Sequence, residues 1–186
     1  MKGQGLECVI PDFSRTYHYG ISGTHMNRNF HNNYFIHHRF NTIPDVKLKN
    51  VDKLKKNLYE LELFKEFKKA KFLSKGDPCE VGYENFVPNT KGETYVIWFA
   101  EDPIYQPQQN LLRCWGMMDD YLRCLHNGIL FFYIKDNFIM VVSENSNYAK
   151  KFKTENIPAV HITKAHPFFL LNGAESLGKL CLPRLN

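Results

Sequence analysis

The chain has 186 residues, of which 44% are hydrophobic, 23% charged and 15% aromatic, which suits one domain of ordinary size or part of a larger one. That apolar content excludes a disordered chain, and 11 glycines with 9 prolines exclude collagen-like or low-complexity sequence. The net charge of +5 is mild and comes largely from a lysine-rich stretch over 47–75. Such a run can attract anionic surfaces, but it is more often the solvated face of an amphipathic helix. With no RNA-binding sheet motif, no zinc-finger spacing and no basic tail, nucleic acid is not an expected partner. The longest apolar run, 128–134, stops at Lys135-Asp136-Asn137. That is far short of the roughly 20 residues of a membrane span, and no signal peptide is evident at the start. A soluble globular piece is the expectation.

In chain order, 1–20 reads as an irregular lead-in closed by a short aromatic strand, 16–19. Gly20, Gly23 and the polar cluster 24–29 read as a loop. Phe30, Tyr34, Phe35 and His38 recur at helical spacing, so a short helix is expected over 31–38. The clearest element is a helix over 52–73, with Leu54, Leu58, Leu61, Phe64 and Phe72 near one stripe and Asn50 or Asp52 as its cap. Gly76-Asp77-Pro78 ends it, and 83–92 reads as a loop. The run 94–100 is β-branched and aromatic, hence a strand. A turn bracketed by Pro103 and Pro107 leads to a helix over 108–118. Residues 128–135 and 138–143 read as two strands of a hairpin joined by Asp136-Asn137. A short helix over 148–152 and a strand over 159–162 are expected beyond it. The class is α+β, without a strand followed by a glycine loop that would cradle a nucleotide.

The chemistry-bearing residues do not assemble into a complete active site. His25, His31, His37 and His38 crowd one stretch, but none has the i, i+4 partner that a helix-borne zinc site wants. Asp119 and Asp120 form an acidic pair near a helix end, where they oppose the helix dipole, and Arg123 and His126 lie just beyond. Nucleophile motifs are lacking. The five cysteines, 8, 79, 114, 124 and 181, include no CxxC, and their odd count leaves at least one unpaired within the chain.

The run Glu7-Cys8-Val9-Ile10-Pro11-Asp12-Phe13-Ser14-Arg15-Thr16-Tyr17-His18-Tyr19-Gly20 resembles a segment of glycosyltransferase family 13, the inverting β-1,2-N-acetylglucosaminyltransferases, and is most similar to members acting on protein-linked mannose. The likeness continues through Phe40-Asn41-Thr42-Ile43-Pro44, Lys49-Asn50-Val51-Asp52-Lys53-Leu54-Lys55-Lys56, Asp77-Pro78-Cys79-Glu80 and Gly92-Glu93-Thr94-Tyr95-Val96. It then persists more weakly in Cys114, Asp119, Arg123 and His126-Asn127-Gly128. The resemblance implies that 1–145 is the C-terminal part of a GT-A catalytic domain, followed by an unassigned tail over 146–186. It implies transfer of N-acetylglucosamine from UDP-N-acetylglucosamine (UDP-GlcNAc), with Mn²⁺, to O-mannosylated glycoproteins on the lumenal side of the Golgi apparatus. Membrane association would come only through an anchor that this chain lacks.

The family's acidic metal motif and its catalytic base lie upstream of the matched segment, so no catalytic residue and no metal ligand is expected within these 186 residues. What the resemblance carries over is a donor-side loop with Thr24 and His25, an acceptor-side Arg123, and a disulfide between Cys79 and Cys114 in the secretory pathway. Two functions follow. One is a transferase represented by a part that is inactive by itself; the alternative is a non-catalytic carbohydrate- or protein-binding module or inactive paralogue.

Overall fold

The computed structural model describes residues 19–24, 26–32, 51–102, 106–115, 125–154 and 156–163. A five-stranded mixed sheet carries the fold. Its strands are β1 (Lys71–Phe72), β2 (Thr94–Phe99), β3 (Leu125–His126), β4 (Ile129–Ile134) and β5 (Asn137–Ser143), in the order β1-β2-β5-β4-β3. β1, β2 and β5 run parallel, while β5–β4 and β4–β3 are antiparallel. The α+β expectation holds at this level.

The alternation of each strand sorts its side chains onto two faces, because successive residues point to opposite sides of a pleated sheet. Tyr95, Ile97 and Phe99 of β2 join Leu130, Phe132 and Ile139 in one core. Val96 and Trp98 join Ile129, Phe131 and Met140 in the other. Every residue of β2 and β5 is buried, as expected for central strands covered on both sides.

Among the described residues the α-helices are α1 (Arg28–Phe30), α2 (Lys56–Lys69), α3 (Pro78–Val81), α4 (Tyr83–Phe86), α5 (Pro107–Cys114) and α6 (Asn147–Phe152). Leu63 and Phe67 of α2 and Tyr148 and Ala149 of α6 cover one face. Phe86 of α4 and Leu111, Leu112 and Trp115 near α5 cover the other. Each such large buried side chain contributes about 1.5–3 kcal/mol, so the two layers of helix, more than helix propensity, hold these elements in place.

The long helix expected over 52–73 is divided. A 3₁₀ turn, Val51–Leu54, precedes α2, and Lys55 sits between them with extended backbone. The break resets the helical phase, so the buried stripe is Leu63, Glu66 and Phe67, while Leu61 is left 53% exposed. At the other end Ala70 is extended, and the chain enters β1, where Leu73 N–H donates to the Val96 carbonyl. Pairing with a buried strand has overridden the local helical pattern. Asp77, expected only as part of a stop signal, also starts α3: its carboxylate accepts from Cys79 N–H at 2.8 Å and from Thr163 N–H at 2.8 Å.

Three smaller differences have similar causes. The segment 83–92 holds α4, whose Phe86 is buried against Trp115. The hairpin turn is Lys135-Asp136, with φ of 51° and 61°, and Asn137 belongs to β5 opposite Ile134. Asn137 is fully buried, and its side chain accepts from Glu93 N–H at 3.1 Å and donates to the Thr90 carbonyl at 2.7 Å. Beyond the hairpin, α6 begins at Asn147, and Val160 makes a single parallel bridge to Phe99 rather than a strand. Val160 and Ile162 are nevertheless buried in the same core as β2. Of the expected 16–19 strand only Tyr19 is described, and the helices expected over 31–38 and 108–118 extend beyond the described residues.

Candidate functional site

The residues singled out by sequence fall in different places. Thr24 is exposed in a turn that Gly23 and Met26 close with a reciprocal pair of backbone hydrogen bonds of 2.9 and 3.2 Å. His25, Arg123, Asp119 and Asp120 lie outside the described residues. The structure joins Cys79, in α3, to Cys114, at the end of α5, with their Cα atoms 5.3 Å apart. Trp115 reinforces this contact, its indole N–H donating to the Pro78 carbonyl at 2.9 Å. Among the described residues no three His, Cys, Asp or Glu side chains gather where they could hold a metal ion. No helix there is long and apolar enough to cross a membrane.

A group of polar side chains converges on the face covered by α2 and α6. Glu60 of α2 is the centre. Its Oε1 accepts from His126 Nε2 at 2.6 Å and from Asn127 Nδ2 at 3.0 Å, and its Oε2 accepts from the Tyr148 hydroxyl at 2.9 Å. The short His126–Glu60 contact places the imidazole proton on Nε2. Tyr59 meets the same imidazole edge-on, with ring centroids 4.7 Å apart. Residues from α2, from the β3–β4 turn and from α6 are thereby tied to one carboxylate.

The β3–β4 turn makes this possible. Asn127 and Gly128 have φ of 48° and 82°, the doubly left-handed geometry of a two-residue hairpin that Asn-Gly favours. The turn reverses the chain so that His126, opposite Ile129, is buried toward α2. α6 starts independently: the Ser146 hydroxyl accepts from Ala149 N–H at 3.1 Å and caps it, which sets Tyr148 and Ala149 against the sheet.

Above this network lies an open pocket of about 730 Å³. It is lined by Phe64, Asn127, Asn145, Ser146, Asn147, Tyr148 and Lys151. Lys151 Nζ stands 3.9 Å from the centroid of the Phe64 ring, a cation–π contact that holds the ammonium at the rim. Chemically the arrangement offers carboxamides, a hydroxyl and one ammonium. No cysteine thiol or serine–base pair stands ready for nucleophilic attack there.

Sequence reasoning missed Glu60, Tyr148 and the Asn145–Lys151 lining. Glu60 was hidden among the charges of the expected helix 52–73, and its partners lie 66 and 88 residues away. The signal that was available is Asn127-Gly128, whose hairpin propensity would have added β3 and turned His126 toward the core. No family model matches the chain.

Proposed function

We propose that this chain is the C-terminal part of a family 13 type GT-A β-1,2-N-acetylglucosaminyltransferase that acts from UDP-GlcNAc on O-linked mannose of glycoproteins in the Golgi lumen. The observation that carries this reading is the uninterrupted similarity over 7–20, continued at intervals to the β4–β5 hairpin. A disulfide between the two cysteines that match family positions supports it, since such bonds persist in oxidising compartments.

In such an enzyme Mn²⁺ stabilises the departing nucleotide phosphates and an aspartate base deprotonates the acceptor hydroxyl. The matched segment contains no counterpart of either motif. This chain would therefore supply supporting structure, a donor-side loop with Thr24 and His25, and Arg123 on the acceptor side. Alone it should not transfer sugar, because losing even one such group lowers rates by orders of magnitude.

The decisive experiment is to sequence the transcript upstream of Met1. An in-frame acidic Glu-Asp-Asp-like motif with a Trp-Asp-rich segment is the expected result. A verified start at Met1 would overturn the transferase reading in favour of a non-catalytic carbohydrate- or protein-binding module or inactive paralogue. A radiolabelled UDP-GlcNAc assay of the 186-residue chain, with an O-mannosyl peptide and Mn²⁺, should give no turnover above a protein-free control. Clear turnover would show that the chain carries its own catalytic groups.

A further inference from the structure

We propose that the pocket between α2, the β3–β4 turn and α6 is a binding site for a neutral saccharide unit, separate from any transfer chemistry and independent of the family reading. The argument begins with which polar atoms are committed and which are not. Asn127 Nδ2 is fixed by Glu60 at 3.0 Å, so its carboxamide has one orientation, and its Oδ1 meets no donor among the described residues. The Ser146 oxygen accepts from Ala149 N–H, which leaves its proton available. The side-chain amides of Asn145 and Asn147 have no partner among the described residues and are exposed beside it. Lys151 meets no carboxylate there, and its ammonium is held over Phe64 instead.

Chemistry narrows the ligand class. A carboxamide offers a donor and an acceptor side by side, the complement of two neighbouring hydroxyls. Three carboxamides with one hydroxyl and one ammonium therefore match a ring bearing several hydroxyl groups. An apolar ligand would leave these groups unpaired, which is unfavourable. An anion would feel the Lys151 ammonium but also the Glu60 carboxylate that Asn127 and Tyr148 contact, and the two charges oppose each other. A polyphosphate would find one lysine where it needs several cations. The volume of about 730 Å³ is within the usual range for small-molecule sites and leaves room for more than one sugar ring. Pre-organisation is the strongest part of the case. Glu60 holds the lining residues Asn127 and Tyr148 before any ligand arrives, so binding orders only the exposed side chains of Asn145, Asn147 and Lys151.

The test is an amide-resolved NMR titration of the full chain with cellobiose, mannobiose and N,N′-diacetylchitobiose. Glucuronate serves as a charged comparator and glycerol as a simple polyol. Saturable shifts at the Asn145 and Asn147 side-chain amides with at least one disaccharide are expected, without added UDP-GlcNAc or Mn²⁺. N145A and K151Q should each weaken that binding about tenfold, the effect of losing one net hydrogen bond, with N145A leaving the urea unfolding midpoint unchanged. Absence of saturable shifts with all three disaccharides would overturn the proposal, as would wild-type affinity in both variants. Equal shifts with glycerol, or tighter binding of glucuronate, would overturn the assigned ligand class. None of these failures touches the family reading, which depends on upstream sequence.

Discussion

Glu60 shows how one residue acquires a role through distant neighbours. Its carboxylate takes three donors from two other elements, and truncating it would leave the His126 N–H, on a residue only 7% exposed, without its acceptor. Glu60→Ala should therefore lower stability by about 1–3 kcal/mol, read from urea denaturation. Combined with His126→Ala the loss should be less than the sum of the two single changes, since both remove the same contact. Glu62, two residues on, behaves differently. The Lys65 ammonium, hydrogen-bonded at 2.7 Å, holds its carboxyl below the usual 4.5; desolvation opposes this and Lys53 adds to it. A depressed folded pKa means that its contribution is present above the unfolded value near 4.5 and is lost as pH falls through the folded value. Solvent screens this exposed cluster, so Glu62→Gln should flatten the acid limb of the stability profile only slightly below pH 4.5.

At the scale of elements, the two hairpin turns are where local chemistry and the sheet meet. Both place two residues at positive φ, Asn127-Gly128 in one and Lys135-Asp136 in the other. The first uses the residue pair that this geometry favours. Gly128→Ala would meet no atom within 4 Å, so its cost is conformational, about 1 kcal/mol, and should appear in thermal unfolding without loss of fold. Lys135 is less suited to φ of 51°, but its ammonium donates to the Glu84 and Val87 carbonyls at 2.7 and 3.0 Å. Those bonds satisfy acceptors at the end of α4 and hold the turn against the helix layer. Lys135→Met, which keeps the stem but not the donors, should destabilise by about 1–2 kcal/mol on the same assay.

For the molecule as a whole, the disulfide and the last described residues close the layer opposite Glu60. Cys79–Cys114 spans 35 residues that include all of β2, so in the chain-entropy account its removal should cost about 4 kcal/mol. The expected outcome is a lower urea midpoint for the Cys79→Ser/Cys114→Ser double variant, equal to that of the reduced wild-type chain. Val160 completes the same closure, accepting from Ala100 N–H and donating to the Trp98 carbonyl at 2.7 Å, while Asp77 receives Thr163 N–H. Tyr148, Ala149, Val160 and Ile162 are thus part of the two cores.

What could be read from sequence alone is the chemistry of short stretches. The runs 94–100 and 138–143 are too rich in β-branched and aromatic side chains to be anything but buried strands. The lysines of 47–75 include several paired to glutamates within reach on the same surface, such as Lys65–Glu62 and Lys69–Glu66. Such features depend on neighbours a few residues away, so composition and period reveal them. The tertiary structure alone decided where the long helical pattern breaks, that Phe72 and Leu73 leave a helix for a sheet edge, and that Glu60, His126 and Tyr148 share one network. Each of these depends on pairing or burial between residues dozens of positions apart. Such energies belong to the folded arrangement rather than to any window of sequence.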